Sequence, residues 1–193
     1  MSYVTLAEYK SYIRELTQGQ PAGYTSAEDD AMRLFLDQAQ RLIESKTERV
    51  FSAKTETRYY LASAIPLAHP DTLLLDYDLL TVTSLVNGNG TTIPADGYWL
   101  HPFNESPKWA IVLKSGYSWS FSTDGRVAVT GTWGYMATPS DDVKRVTMQL
   151  AWWIQSKRLS LGDVTLLDHG AFTVDGAFPA HIAEWLARHR RKV

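Results

Sequence analysis

The sequence predicts an α+β protein: a helical bundle core, discontinuous over residues 1–53 and 137–160, a large β-sheet insertion over 54–136, and a C-terminal arm and helix over 161–193. Three observations predict it. Apolar side chains recur at helical spacing in both flanks. Residues 55–135 between them are rich in Thr, Tyr, Val and Trp and are punctuated by Gly, Pro and Asn, a strand-and-turn composition. The stretch Arg126–Arg158 then runs from an alternating strand straight into a helix start, joining the two regimes.

Leu6, Tyr9, Ile13 and Leu16 follow a helical period, with Thr5 placed to cap it. Gly19, Pro21 and Gly23 break the chain. The run Ser26-Ala-Glu-Asp29 has the spacing of a capping box and predicts a second helix reaching about Arg49. Its apolar stripe is Ala31, Leu34, Phe35, Gln38, Leu42 and Ile43. The short break predicts antiparallel neighbours.

From Phe51 the period changes. Strands are predicted at Thr57–Leu61, Thr72–Leu75, Val82–Val86, Thr91–Ile93, Tyr98–His101, Ala110–Leu113 and Arg126–Thr132. Asn87-Gly88-Asn89-Gly90 is the strongest hairpin turn, since both residue types accept positive φ cheaply. Thr123-Asp124-Gly125 is a second turn.

The central helix starts after Pro139. Ser140 can accept from an unpaired amide of the first turn, and Asp141 and Asp142 put negative charge at the positive end of the dipole. Val143, Val146, Leu150, Trp153 and Ile154 form its buried stripe, which Met148, Ala151 and Trp152 widen beyond one face. Met148, Trp152 and Trp153 are therefore expected in the core or in a contact with a second subunit. Gly162, Gly170 and Gly176 divide the next segment into Val164–Leu167 and Phe172–Val174, a hairpin or an extended arm. Pro179 opens a last helix with Ile182, Trp185 and Leu186 as its apolar positions.

At 193 residues the chain suits one domain with an insertion, or two small lobes. It has no cysteine, which excludes disulfides and thiolate chemistry. No apolar run approaches a membrane span, and MSYVTLAEYK lacks the basic-then-apolar pattern of a secretory signal, so synthesis in the cytoplasm is expected. Residues 181–193 carry four basic side chains against Glu184, net +3, which leaves −5 on the rest of a chain whose total is −2. An acidic body argues against broad nucleic-acid binding. The basic end has two readings: cations complementing a helix C-terminus, or a docking element.

Catalytic signatures are sparse. Asp76 and Asp78, two apart on a strand, share a face and can pair for acid/base work, though solvated or turn-capping acids give the same pattern. Asp168 and His169 are adjacent, and no nucleophile elbow accompanies them. The five histidines, His69, His101, His169, His181 and His189, show no metal-ligand spacing, so no metal and no cofactor is expected. One alternative function is a carbohydrate-binding or glycan-processing domain, with Tyr98, Trp99, Trp109, Tyr117, Trp119 and Trp133 as sugar-stacking platforms.

Four stretches, in order, resemble the head-tail connector (adaptor) proteins of long-tailed bacteriophages: TLAEYKSYI, AQRLIESKTERVF, DLLTVTSLVNGNGTTIPADGYWLHPFNESPKWAIVLKSG, and RVAVTGTWGY followed by Pro139 and the central helix. The ending PAHIAEWLARHRR is similar to the family's as well. The resemblance implies a non-enzymatic virion protein, assembled in the host cytoplasm, that forms a ring of about a dozen copies in the neck. Such a ring joins the portal protein to a stopper or tail-completion protein and passes DNA as non-specific cargo. An acidic ring fits that conduit, because a basic lumen would grip phosphates. Portal docking is implied for the C-terminal segment, here Trp185, Arg188, Arg190, Arg191 and Lys192.

Overall fold

The computed structural model describes residues 2–19, 24–121, 125–160 and 178–191. Among these described residues it is an α+β structure with four α-helices and one five-stranded antiparallel sheet. The chain divides into two compact units, one made of residues 1–48 and 139–193, the other of 49–138. The predicted arm pieces Val164–Leu167 and Phe172–Val174 lie outside the described residues, as do Asp168 and His169 and most of the Thr123–Gly125 turn.

The helical unit contains α1 (Leu6–Leu16), α2 (Ser26–Thr47), α3 (Asp141–Ser160) and α4 (Ala180–His189). α1 begins with a complete capping box: the Glu8 amide donates to the Thr5 hydroxyl oxygen, and the Glu8 carboxylate accepts from the Thr5 amide. α2 has the same device, but its cap is Thr25 with Glu28, one residue before the expected Ser26 and Asp29. The longer glutamate reaches back to the cap amide, which selects the first register. α2 stops at Thr47 because Glu48 turns left-handed, with φ 56°.

The buried face of α2 is Met32, Phe35, Leu36, Ala39, Ile43 and Thr47. This corrects the expected stripe, in which Leu34 was counted; Leu34 is 46% exposed, and Leu36 takes the inward position. On α1, Tyr9 and Ile13 are buried whereas Leu16, in the last turn, is exposed. α2 packs chiefly on α3. Tyr9 donates to Gln155 Oε1 at 3.1 Å, and Tyr3 to Glu44 Oε1 at 2.7 Å, so the phenols inside this unit have acceptors. Lys144 Nζ lies 2.8 Å from Glu8 Oε1 and ties α3 to the first turn of α1. The Lys144 hydrogen bond, helped by the Thr5 amide, holds the Glu8 carboxyl at about 2.

The β unit contains β1 (Lys54–Tyr60), β2 (Thr72–Val86), β3 (Tyr98–His101), β4 (Lys108–Leu113) and β5 (Val127–Trp133), in spatial order β1-β5-β2-β4-β3. Two predicted strands, Thr72–Leu75 and Val82–Val86, are the ends of one continuous β2. Its first half pairs β4 and its second half pairs β5, with register shifts between Leu74 and Leu79 and again before Thr81 and Ser84. Such bulges bend a strand and let it serve two neighbours. Thr91–Ile93 forms only an isolated bridge, Val86 with Thr92.

The inner face of the sheet buries Tyr60, Leu73, Leu75, Leu79, Leu85, Ile111, Leu113, Val127, Val129 and Trp133. Gly131 lies inside β5 because a Cβ there would collide with the Thr81 carbonyl oxygen. The Asn87–Gly90 turn closes with the Gly90 amide donating to the Asn87 carbonyl at 2.9 Å. Buried Asn87 also reads the neighbouring loop, donating to Ser118 O and accepting from the Ser120 amide, both at 2.8 Å. Among the described residues, no helix is long and apolar enough to cross a membrane.

Candidate functional site

The side chains singled out on α3 fall at the edge of its buried face and behind it. The buried residues are Val143, Val146, Thr147, Leu150, Ala151 and Ile154, one coherent helical stripe. Trp153, expected within that stripe, is only half-buried, with its ring 5.5 Å from that of Phe178. Met148 is also half-buried. Trp152 sits roughly opposite the centre of the stripe at about 100° per residue, and it too is half-buried. α3 thus carries large apolar side chains on the face turned away from its own core.

The residues assigned to docking cluster at the end of α4. Ile182 and Leu186 are buried, which fixes the helix. The Trp185 indole N–H is 3.4 Å from Asp142 Oδ2, and its ring stacks on His189 with centroids 4.1 Å apart. Burial works to raise the Asp142 carboxyl, but hydrogen bonds from Ser140, Trp185 and nearby amides outweigh it and leave it lowered. Arg190 pairs with Glu48 at 2.9 Å, and the Arg191 amide donates to the Thr47 carbonyl at 2.8 Å. The basic end therefore covers the C-terminus of α2 and satisfies one of its last carbonyls. Among the described residues Arg188 reaches only Glu184, at 3.1 Å, and both are more than 70% exposed. Lys192 lies outside the described residues.

The two acids considered for catalysis do not share a face, which corrects the expectation. The register shift between Leu74 and Leu79 breaks the alternation, so Asp76 is exposed while Asp78 is 5% exposed. Asp78 pairs with Arg49 at 2.8 Å, and Asp76 accepts from the Tyr60 hydroxyl at 2.6 Å. Among the described residues, no group of three His, Asp or Glu is arranged to hold a metal ion.

The six proposed sugar platforms do not form one surface. Trp133 is buried with its N–H on Glu56 O, and the Trp119 N–H donates to Asp71 O. Tyr98, Trp119 and Trp133 belong to the sheet core or pack against it. Trp99, Trp109 and Tyr117 remain 42–47% exposed, and the Lys114 ammonium lies 5.3 Å from the Trp99 ring.

Two features were not found from sequence. Phe103, 57% exposed, stands between Trp99 and His101, and Lys108 holds its loop by donating to the carbonyls of Pro102 at 2.5 Å and Phe103 at 3.0 Å. The paired prolines of HPFNESPK were the signal for a built loop. The second is an open cavity of about 480 Å³ at the end of β1.

No family model matches the sequence, and no curated protein does. The structure is similar to a chain in the neck of an empty GTA particle solved with C6 symmetry, with a TM-score of 0.65 and 22% identity over 99% of this chain and 91% of that one. A chain in the neck of a native GTA particle solved with C12 symmetry gives a TM-score of 0.62 and 20% identity, over 99% and 90%. A chain in the virion of a native gene transfer agent particle gives 0.61 and 21%, over 99% and 91%. At these identities the likeness is one of fold, and it takes in both compact units.

Proposed function

We propose that the chain is a structural head-tail adaptor of a phage-type particle. About twelve copies form a ring in the neck, beneath the portal protein and above a stopper or tail-completion protein, and the ring continues the DNA channel. The observation that carries this reading is the likeness, over 99% of the chain, to neck chains solved with C6 and C12 symmetry. A closed ring needs two different side patches on each copy. Met148 and Trp152 on α3 supply apolar area for one of them, and aromatic side chains are the commonest anchors of such contacts. Arg188 and Trp185 on α4 are assigned to the portal. The work is mechanical and involves no cofactor: copies bind, close and hold a passage open. DNA is cargo, and a chain of net charge −2 offers it little to grip. The protein is placed in the virion, with assembly in the host cytoplasm. The glycan-binding alternative is not favoured, since three of its six aromatics are committed to the sheet.

Electron microscopy of the purified chain, alone and mixed with its portal, tests the reading. Rings of uniform size seated on the portal are expected. A chain that stays monomeric in both conditions would overturn it.

A further inference from the structure

The turn after β2 holds two asparagines, each followed by glycine, in opposite environments. Asparagine is a thermolabile residue. A glycine after it leaves the side-chain amide open to attack by the next backbone nitrogen, because no side chain stands in the way. Asn87 is 6% exposed, and both ends of its carboxamide are held. Nδ2 donates to Ser118 O at 2.8 Å, while Oδ1 accepts from the Ser120 amide at 2.8 Å and the Gly88 amide at 3.1 Å. Gly88 is buried as well, so close to the Ser120 carbonyl oxygen that a Cβ would collide with it.

Asn89 and Gly90 are exposed. The Asn89 carboxamide makes one hydrogen bond among the described residues, Oδ1 accepting from the Thr91 amide at 3.0 Å. A Cβ built on Gly90 would meet nothing within 4 Å, so the space around that backbone is open. The Gly90 amide donates to the Asn87 carbonyl at 2.9 Å, which restrains it in the closed turn. Opening that one bond frees the nitrogen.

We infer that Asn89 is a site of spontaneous covalent modification, and that Asn87 is shielded from the same reaction. The Gly90 nitrogen gives up its proton and bonds to Asn89 Cγ, the Cγ–Nδ2 bond breaks, and ammonia leaves. The product is a cyclic succinimide. Water then adds to either ring carbonyl and reopens the ring, giving aspartate or isoaspartate, in which the main chain runs through Cβ and Cγ. Either product adds negative charge at the tip of the turn. Isoaspartate also lengthens the backbone between Asn87 and Thr91, where the Asn87 amide donates to the Thr91 carbonyl at 2.8 Å. At Asn87 the same exchange would set a carboxylate oxygen against the Ser118 carbonyl, acceptor against acceptor. The inference rests on this turn alone and is independent of the neck reading.

The test holds the full chain folded in mildly alkaline buffer, beside a sample unfolded in urea, until the urea sample is half converted. Peptide mapping that separates isoaspartate from aspartate then follows positions 87 and 89. In urea the two should convert at similar rates. In the folded chain Asn89 should carry both products, with Asn87 converted about tenfold less or lower still, since the Ser118 and Ser120 bonds must open first. Equal conversion of the two positions in the folded chain overturns the inference. So does an Asn89 that stays intact there while the urea sample converts.

Discussion

Arg49 and Asp78, separated by 29 positions, meet with Nη1 2.8 Å from Oδ2, and neither side chain is more than 15% exposed. The Arg49 guanidinium also lies 4.5 Å from the Tyr135 ring centroid, and the Gly134 amide donates to the Asp78 carbonyl at 2.8 Å. The pair therefore fastens the first residue of the β unit to β2 and to the segment that follows β5. Removing the carboxylate leaves a buried cation without its partner. Asp78→Ala should lower the unfolding free energy by about 3–5 kcal/mol, read from the urea midpoint.

Gly131 sits where the sheet leaves no room for a side chain. A methyl group there meets the Thr81 backbone, which can move only with β2. Gly131→Ala should destabilise by about 1–3 kcal/mol, although alanine is a better strand residue than glycine. An unchanged melting temperature would show that the strand spacing is looser than described.

Trp152 and Leu150 separate assembly from folding. Leu150 is fully buried, so Leu150→Ala should cost about 2–5 kcal/mol in the isolated chain. Trp152→Ala, half-buried on the opposite side of α3, should cost about 1–2 kcal/mol there and should lower the yield of rings in native mass spectrometry. Equal melting losses would place Trp152 in the core and remove it from the ring contact.

Glu8 gives the helical unit a pH signature. Its folded value of about 2 lies below the ordinary 4.5, so its stabilisation is whole above 4.5 and is lost as pH falls through about 2. Glu8→Gln should therefore melt below the wild type at neutral pH, with the gap closing between about pH 5 and pH 2. The carboxylate is 40% exposed, so the gap should be about 1 kcal/mol or less.

Arg188 tests docking without disturbing the fold. Deleting residues 181–193 would also remove buried Ile182 and Leu186, so such a truncation confuses docking with stability. Arg188→Glu breaks only an exposed pair and should change stability by a few tenths of a kcal/mol, read from thermal melting. It should nevertheless reduce co-sedimentation with purified portal.

Periodicity located the helices, because a buried stripe is written directly into the spacing of Tyr9 and Ile13 or Val143 and Leu150. Fine register was harder to read. Thr25 and Ser26 are both capping residues with an acid three positions on, and only side-chain reach decides between them. Leu34 and Leu36 are equally apolar, so their order around α2 depends on what packs against it. Asp76 and Asp78 fall between the expected strands Thr72–Leu75 and Val82–Val86, which are one continuous β2. Nothing local indicates that Arg49 neutralises one and Tyr60 holds the other. The cavity was invisible for the same reason, since residues 59–66 and 74–76 line it from separate parts of the sequence.

The Val50 carbonyl accepts from the Tyr135 amide at 2.7 Å, and the Ala53 amide donates to the Ala137 carbonyl at 3.2 Å. Entry to and exit from the β unit are thus stitched side by side, like the two legs of a hairpin. A segment held that way behaves as a cassette. Over evolutionary time its interior can lengthen, shrink or be exchanged, while the flanking sequence sees the same pair of closely spaced ends.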